Sequence, residues 1–290
     1  MADLPVVVVF SSLFPSPAQP GAGIFIRERM FRVGQHMPIV VVSPRPWFPL
    51  QGIIRYFRPH FRPETPHHLK MDGIDVYYPR YFCFPGIFKG LDGWLMAQGA
   101  SAITKRLAAE RGVSLIDAHF AYPDGYAAAQ LATQLDVPVT VTLRGTEWRQ
   151  CRSGLRTKVK QALQQVSQIF SVSDSLKQVA VGLGIASDKV DVIGNGVDAE
   201  KFSPIDKYQA RQRYGLPADA KVLITIGGLV ERKGFHRVIN AMPELLQQEP
   251  NLHYLIVGGA SAEGNIESQL REQVKQLGLE KNVLYLYNND

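Results

Sequence analysis

Cysteine is scarce in this chain: Cys83 and Cys151 are the only two among 290 residues, and they form no C-x-x-C pair. That excludes a disulfide framework and a zinc ribbon and fits a reducing compartment. Long apolar runs are missing as well. The opening run, Val6–Phe10, stops at Ser11-Ser12, and no stretch approaches the roughly eighteen apolar residues that cross a bilayer as a helix. Asp3 stands where a secretory leader carries positive charge, so the expected location is cytoplasmic. Several catalytic signatures are absent too: no G-x-x-x-x-G-K-[ST] loop, no H-E-x-x-H and no G-x-S-x-G elbow.

What is present supports a folded α/β protein. Hydrophobic residues make up 46% of the chain and charged ones 20%, enough apolar surface for large cores. The net charge of +6 suits an anionic partner such as a nucleotide, a phospholipid surface or nucleic acid without choosing among them, and equally describes a mildly basic protein with no such partner.

Short apolar runs alternate with helical spacing along the chain. Val6–Phe10, Ile39–Ser43, Ile74–Pro79, Val113–Ala118, Val137–Leu143, Ile169–Val172 and Val190–Ile193 read as strands, with helical patterns between most of them. This predicts a doubly wound parallel sheet covered on both faces. The loop after the first strand holds Gly21 and Gly23 but Ile26 at the third fingerprint position, so a dinucleotide fingerprint fails. Residues 44–70 break the pattern, being dense in proline, arginine and aromatic rings. Such a segment serves as an irregular surface loop with partly buried rings, as an interfacial one with rings at the headgroup level and cations on anionic lipid, or as a surface that stacks on nucleic-acid bases.

A second alternation begins at Val222–Ile226, expected as a strand buried on both faces. Gly227 and Gly228 follow it, then Arg232, Lys233, Gly234 and an amphipathic helix from Phe235. Free backbone N–H groups, a helix N-terminus and a lysine are the parts of a phosphate site. Strand Tyr254–Val257 leads into Gly258 and Gly259, then come helix Ile266–Leu277 and strand Val283–Tyr287. The expected division is a first Rossmann-like domain over 1–200, a linker over 201–220 and the first half of a second such domain over 221–290.

The motifs PGAGIFIRER, IDAHFAYPDGYAAA, VTLRGTEW, VIGNGVDAEKFSP, IGGLVERKGFHRVINA and LIVGGA, in this order and spacing, resemble those of the retaining GT-B glycosyltransferases of family 4, the group 1 glycosyltransferases. The resemblance covers nearly the whole chain. It implies two facing Rossmann-like domains and transfer of a sugar from a nucleotide-diphosphate donor, UDP- or GDP-linked, to an acceptor with retention. It further implies no cofactor and, there being no D-x-D motif, no metal. The acceptor class it suggests is a glycolipid or cell-surface polysaccharide precursor, and peripheral contact with the inner face of an anionic membrane through residues 44–70 is an accompanying expectation; nucleic acid is not an expected partner.

Residue by residue, the resemblance places Gly21 and Gly23, with Gly227, Gly228, Arg232 and Lys233, at the donor phosphates. Gly258 and Gly259 fall beside the nucleoside. His119 falls beside the transferred sugar as the catalytic-site histidine, and a structural histidine is the alternative. Arg144 and Glu147 fall on the acceptor side, where a salt bridge at the helix entry is the alternative. Asn195, Gly196 and Asp198 match a turn before the interdomain linker. Gly228 stands where many members carry arginine. The family's paired glutamates, seven residues apart, would lie beyond Asp290, so the chain is expected to be C-terminally truncated and weak or inactive alone. A GT-B sugar-nucleotide epimerase and a non-catalytic nucleotide-binding fragment are the other readings. Turnover without acceptor would mark the first, binding without turnover the second.

Overall fold

The computed structural model describes residues 5–57, 61–261 and 264–287, and the chain divides into two compact units, Met1–Val197 and Asp198–Asp290.

The first unit is built on β1 (Val6–Phe10). Val8 and Phe10 face one side of the sheet, Val7 and Val9 the other, and all four are buried. A strand covered on both faces has no solvent-facing position, which is why its sequence is a continuous apolar run. In chain order follow α1 (Ile24–Val33), β2 (Ile39–Val42), β3 (Arg45–Trp47), α2 (Gln51–Phe57), β4 (His68–Met71), β5 (Ile74–Tyr77), β6 (Arg80–Phe82), α3 (Asp92–Arg111), β7 (Val113–His119), α4 (Tyr126–Leu135), β8 (Val139–Leu143), α5 (Thr146–Gln150), α6 (Arg156–Gln165), β9 (Gln168–Ser171), α7 (Asp174–Val181) and β10 (Val190–Val192).

Eight of the strands form one sheet in the order β10-β9-β8-β7-β1-β2-β5-β4, parallel throughout except that β4 runs antiparallel to β5. β3 and β6 form a separate parallel pair. The core containing Val8, Met96, Leu107 and Leu131 fills the face under α3, α4 and α6, while Val7, Phe14, Ile26 and Met30 fill the face under α1. The strand order reverses at β1, flanked by β2 and β7, and a doubly wound sheet opens its crevice beyond the carboxyl ends of the strands at such a point. Gly23 is needed there. It enters α1 at φ 68°, and a Cβ would lie 2.3 Å from the Leu13 carbonyl oxygen.

The second unit contains α8 (Lys207–Arg213), β11 (Lys221–Ile226), α9 (Phe235–Gln248), β12 (Leu252–Val257), α10 (Glu267–Gln276) and β13 (Val283–Leu286). Its three strands are parallel in the order β11-β12-β13, and one face packs Tyr254, Ile256 and Val283 against Phe235, Ile239 and Leu270.

Two expectations need correcting. β11 is not buried on both faces: it is an edge strand, and Ile224 and Ile226 are 55% and 70% exposed. Within residues 201–220 lies α8, and Arg211 donates to the Ala218 and Ala220 carbonyls, fastening the helix to the chain entering β11. Residues 44–70 are not one irregular loop: β3 and α2 fall inside them and β4 begins there.

Candidate functional site

In the first unit the loops after β1, β7 and β8 are tied together by two buried carboxylates. Asp124 accepts from both the backbone N–H and the hydroxyl of Ser12, the latter at 3.0 Å, joining the β1 loop to the turn after β7. Burial pushes its carboxyl up to about 7, against the two Ser12 donors that favour the charged form. Glu147, fully buried, accepts from Ala121 N–H (3.1 Å) at Oε1 and from Arg144 N–H (3.2 Å) and Gly145 N–H (2.8 Å) at Oε2. Both of its oxygens are turned to the backbone. Glu147 therefore builds the joint between the β7 and β8 loops, its carboxylate engaged by backbone N–H groups and not by a salt bridge at the helix entry.

His119 ends β7 and is fully buried. Its Nδ1 accepts from Arg144 Nε and Nη2, both at 3.3 Å, so the ring proton sits on Nε2. That Nε2 has no hydrogen-bond partner and stands 3.7 Å from Asp117 Oδ2. Burial, then the charges of Arg144 and Arg29, hold the imidazole well below its usual range, so it is neutral at pH 7. Asp117 accepts from Thr140 Oγ1 at 2.7 Å, and burial raises its carboxyl despite that bond and the two arginines.

Arg144 also donates from Nη1 to Asn195 Oδ1 (3.0 Å) and lies 5.1 Å from the centre of the Phe25 ring. Burial, then Arg29, lower its guanidinium to about 10, and it remains charged. The structure thus brings His119 and Arg144 together and adds Asp117, Arg29, Phe25 and Asn195. Gly21 is exposed, with open space around it. Sequence patterning missed Arg29 and Asp124. Arg29 sits four residues after Phe25, on the same face of α1, and the helical period alone could have flagged it.

In the second unit the two glycine turns touch. Gly258 adopts φ 148°, and a Cβ there would lie 1.9 Å from the Gly227 carbonyl oxygen. Gly227 is itself covered by the Lys233 side chain, whose Cε and Nζ would lie 3.3 and 3.6 Å from an added Cβ. Lys233 and Gly234 directly precede α9, and Arg232, Lys233, His236 and Arg237 line an open cleft at its N-terminus, so cations and a helix dipole of the same sign converge. At Gly228 a Cβ would meet the Ser261 side chain at 2.8 Å, so the arginine common at that place in the family could enter only if Ser261 moved. Around Gly259 there is open space.

The 44–70 segment departs from the interfacial expectation in its cations. Arg45 donates inward to the Ser12 and Phe14 carbonyls, Arg62 to the Cys83 carbonyl, and Arg55 pairs with Glu64 at 2.9 Å. Trp47 and Phe61 are half-buried, whereas Leu50, Ile53, Tyr56 (84%) and Phe57 (76%) are exposed on or beside α2. Arg58, Pro59 and His60 lie outside the described residues. Among the described residues no helix is long and apolar enough to cross a membrane, and no group of three or more His, Cys, Asp or Glu is placed to hold a metal.

Residues 55–201 match the model of glycosyltransferase family 4 and residues 206–290 that of glycosyl transferases group 1. A putative teichuronic acid biosynthesis glycosyltransferase, TuaC of Bacillus subtilis, is 29% identical over 266 residues, covering 88% of this chain and 66% of TuaC. An uncharacterised glycosyltransferase of Methanocaldococcus jannaschii is 27% identical, with 77% and 58% covered. The chain therefore spans about two thirds or less of the length of these relatives. Among solved structures, Anabaena HepE in complex with UDP aligns with a TM-score of 0.64 at 18% identity, covering 98% of this chain and 69% of HepE. Sucrose-phosphate synthase from Thermosynechococcus elongatus aligns at 0.65 and 18%, covering 98% and 70%. These two likenesses concern the fold, which is GT-B. By its family matches across both units, the chain belongs to the family 4, group 1 glycosyltransferases.

Proposed function

We propose that the chain moves a sugar from a nucleotide-diphosphate donor to an acceptor, with retention at the anomeric carbon. The observation that carries the reading is the cation cluster at the α9 N-terminus, where Arg232, Lys233 and Arg237 line an open cleft at the positive end of the helix dipole. The leaving diphosphate would be stabilised by Lys233 and the helix dipole. The reading takes the reaction to be metal-independent, as the missing D-x-D motif suggests, and activity unchanged by EDTA would support that part. UDP and UDP-glucose are bound by the solved HepE structures, which favours a uridine donor here. His119, neutral and carrying its proton on Nε2, is the group suited to donate to a hydroxyl of the transferred sugar if the loops shift to admit it.

Calorimetry with UDP- and GDP-sugars tests the donor site. A lysine–phosphate contact is worth about 1.5–3 kcal/mol, so Lys233→Ala should weaken binding by roughly 10- to 150-fold. Unchanged affinity in that variant would overturn the assignment. The acceptor in this proposal is a lipid-linked or cell-surface polysaccharide precursor, met at an anionic membrane through the exposed apolar side of α2. Sedimentation with anionic vesicles should fall when Ile53, Tyr56 and Phe57 are changed together to serine, and equal sedimentation would remove the membrane contact from the proposal.

A further inference from the structure

The Arg29 guanidinium is the unexplained group in the first unit. Its Nη1 is buried and without a hydrogen-bond partner. It lies close enough to Asp117, His119 and Arg144 to act on all three electrostatically. Both guanidinium groups act on the neutral His119 imidazole and on the Asp117 carboxylate, whose Oδ1 is already engaged by Thr140. Glu147 adds a negative charge that acts on Arg144, but its oxygens are taken by three backbone N–H groups and accept from neither guanidinium. A buried cationic donor left unpaired is costly, and like charges brought together cost more. Such an arrangement persists where a ligand completes it.

The complementary ligand is an anion with at least two oxygens in a plane or tripod. Guanidinium forks match phosphate and carboxylate bidentately. Arg144 is pre-aimed: its Nε and Nη2 rest on His119, its Nη1 on Asn195 Oδ1, and its flat face on Phe25. The location is the carboxyl end of β7 and β8 beside the switch point of the first unit, separate in the chain from the Lys233 cluster of the second.

We propose that Arg29 and Arg144 bind an anionic group, phosphate or carboxylate, carried by the sugar acceptor. This rests on the glycosyl-transfer reading and narrows it: the acceptor is an acidic saccharide or a phosphorylated one, and neutral sugars of the same size are poor acceptors. The same chemistry could come from the donor diphosphate, and the test separates the two sources.

The 15N–1H resonances of the arginine Nε groups are followed in the full chain during titration with inorganic phosphate, with glucuronate and with glucose as the neutral control. Saturable shifts of Arg29 and Arg144 are expected with the two anions and none with glucose. Arg29→Gln and Arg144→Gln should each weaken the anions at least tenfold, Arg29→Lys should recover part of that loss, and Lys233→Ala should leave them within twofold. Backbone resonances elsewhere report whether each variant is folded. Shifts that do not saturate, or that survive Arg29→Gln in a folded protein, would overturn the site. An equal loss in Lys233→Ala would assign the anion to the donor diphosphate and overturn the acceptor assignment. Nucleotide-sugar affinity measured on the same variants keeps the readings apart: Arg29→Gln should leave it unchanged, and if no nucleotide-sugar binds while the anion shifts persist, the donor reading fails and the anion site stands.

Discussion

Removing the Glu147 carboxylate should unfasten the two loops that carry His119 and Arg144. The side chain is fully buried and holds three backbone N–H groups, those of Ala121, Arg144 and Gly145. Each donor left buried without an acceptor costs about 1–3 kcal/mol. Local relaxation and water entry recover part of the sum, so Glu147→Ala should cost about 3–5 kcal/mol, a large share of the 5–15 kcal/mol typical of a whole domain. Glu147→Gln is the sharper variant. Its amide oxygen can keep the Arg144 and Gly145 donors, but its NH2 then faces the Ala121 N–H, so one bond is lost and about 1–3 kcal/mol with it. Urea unfolding measures both losses as a fall in midpoint at constant m. Amide exchange separates the loops: in Glu147→Gln the Ala121 amide should lose protection while the Gly145 amide keeps it. If Glu147→Gln costs less than about 0.5 kcal/mol, within the range of an inert surface change, and Ala121 stays protected, the carboxylate does not hold the loops and the reasoning fails.

Asp124 gives a pH signature. Its folded-state carboxyl stands at about 7 while an unfolded aspartate titrates near 3.9, so between these values the folded chain holds a proton that the unfolded chain has released. Stability should therefore fall as pH rises through that window, by at most about 1.4 kcal/mol per pH unit. Ser12, Arg45 and Glu147 face this group, and His119, whose folded value is lowered, contributes the opposite slope below about 6.5. The readout is accordingly the difference between wild type and Asp124→Asn from pH 5 to 7, which should grow with pH in favour of the variant; parallel curves would contradict it. Gly258→Ala should separate the paired glycine turns at a cost of about 2–4 kcal/mol and weaken nucleotide-sugar binding, whereas Gly259→Ala, with open space around it, should be nearly silent. Equal effects of the two, by thermal unfolding and calorimetry, would refute the close contact.

Much of this fold was legible in the sequence because its strands are doubly buried. VVVVF and IVVV have no polar positions, and that signature survives without any alignment. β11 has the same look, VLITI, and misleads because burial depends on which elements cover a strand, a property its own residues do not encode. The short β3–β6 pair was invisible: each strand has three residues, too few for a period. At the site, His119 and Arg144 could be picked out by their place after strands. Glu147 could be picked out but not read, since whether a carboxylate faces solvent or three amides is decided by loop geometry. Arg29 was within reach of the helical period of α1, whereas Asp124 became visible only when chain segments distant in sequence met.

The alanines of α4 have one more consequence. Ala127, Ala128, Ala129 and Ala132 are all buried where this helix lies between α3 and α6, and Tyr126 closes against Gly93 of α3 so tightly that a methyl there would sit 2.6 Å from the ring. A seam of methyl groups sets the spacing of three helices, and that spacing fixes where the turn carrying Asp124 emerges. Randomisation of this helix should therefore be read by volume and not by polarity: Ser and Gly pass as near-isosteres, Val and Leu do not, although the latter are the more hydrophobic.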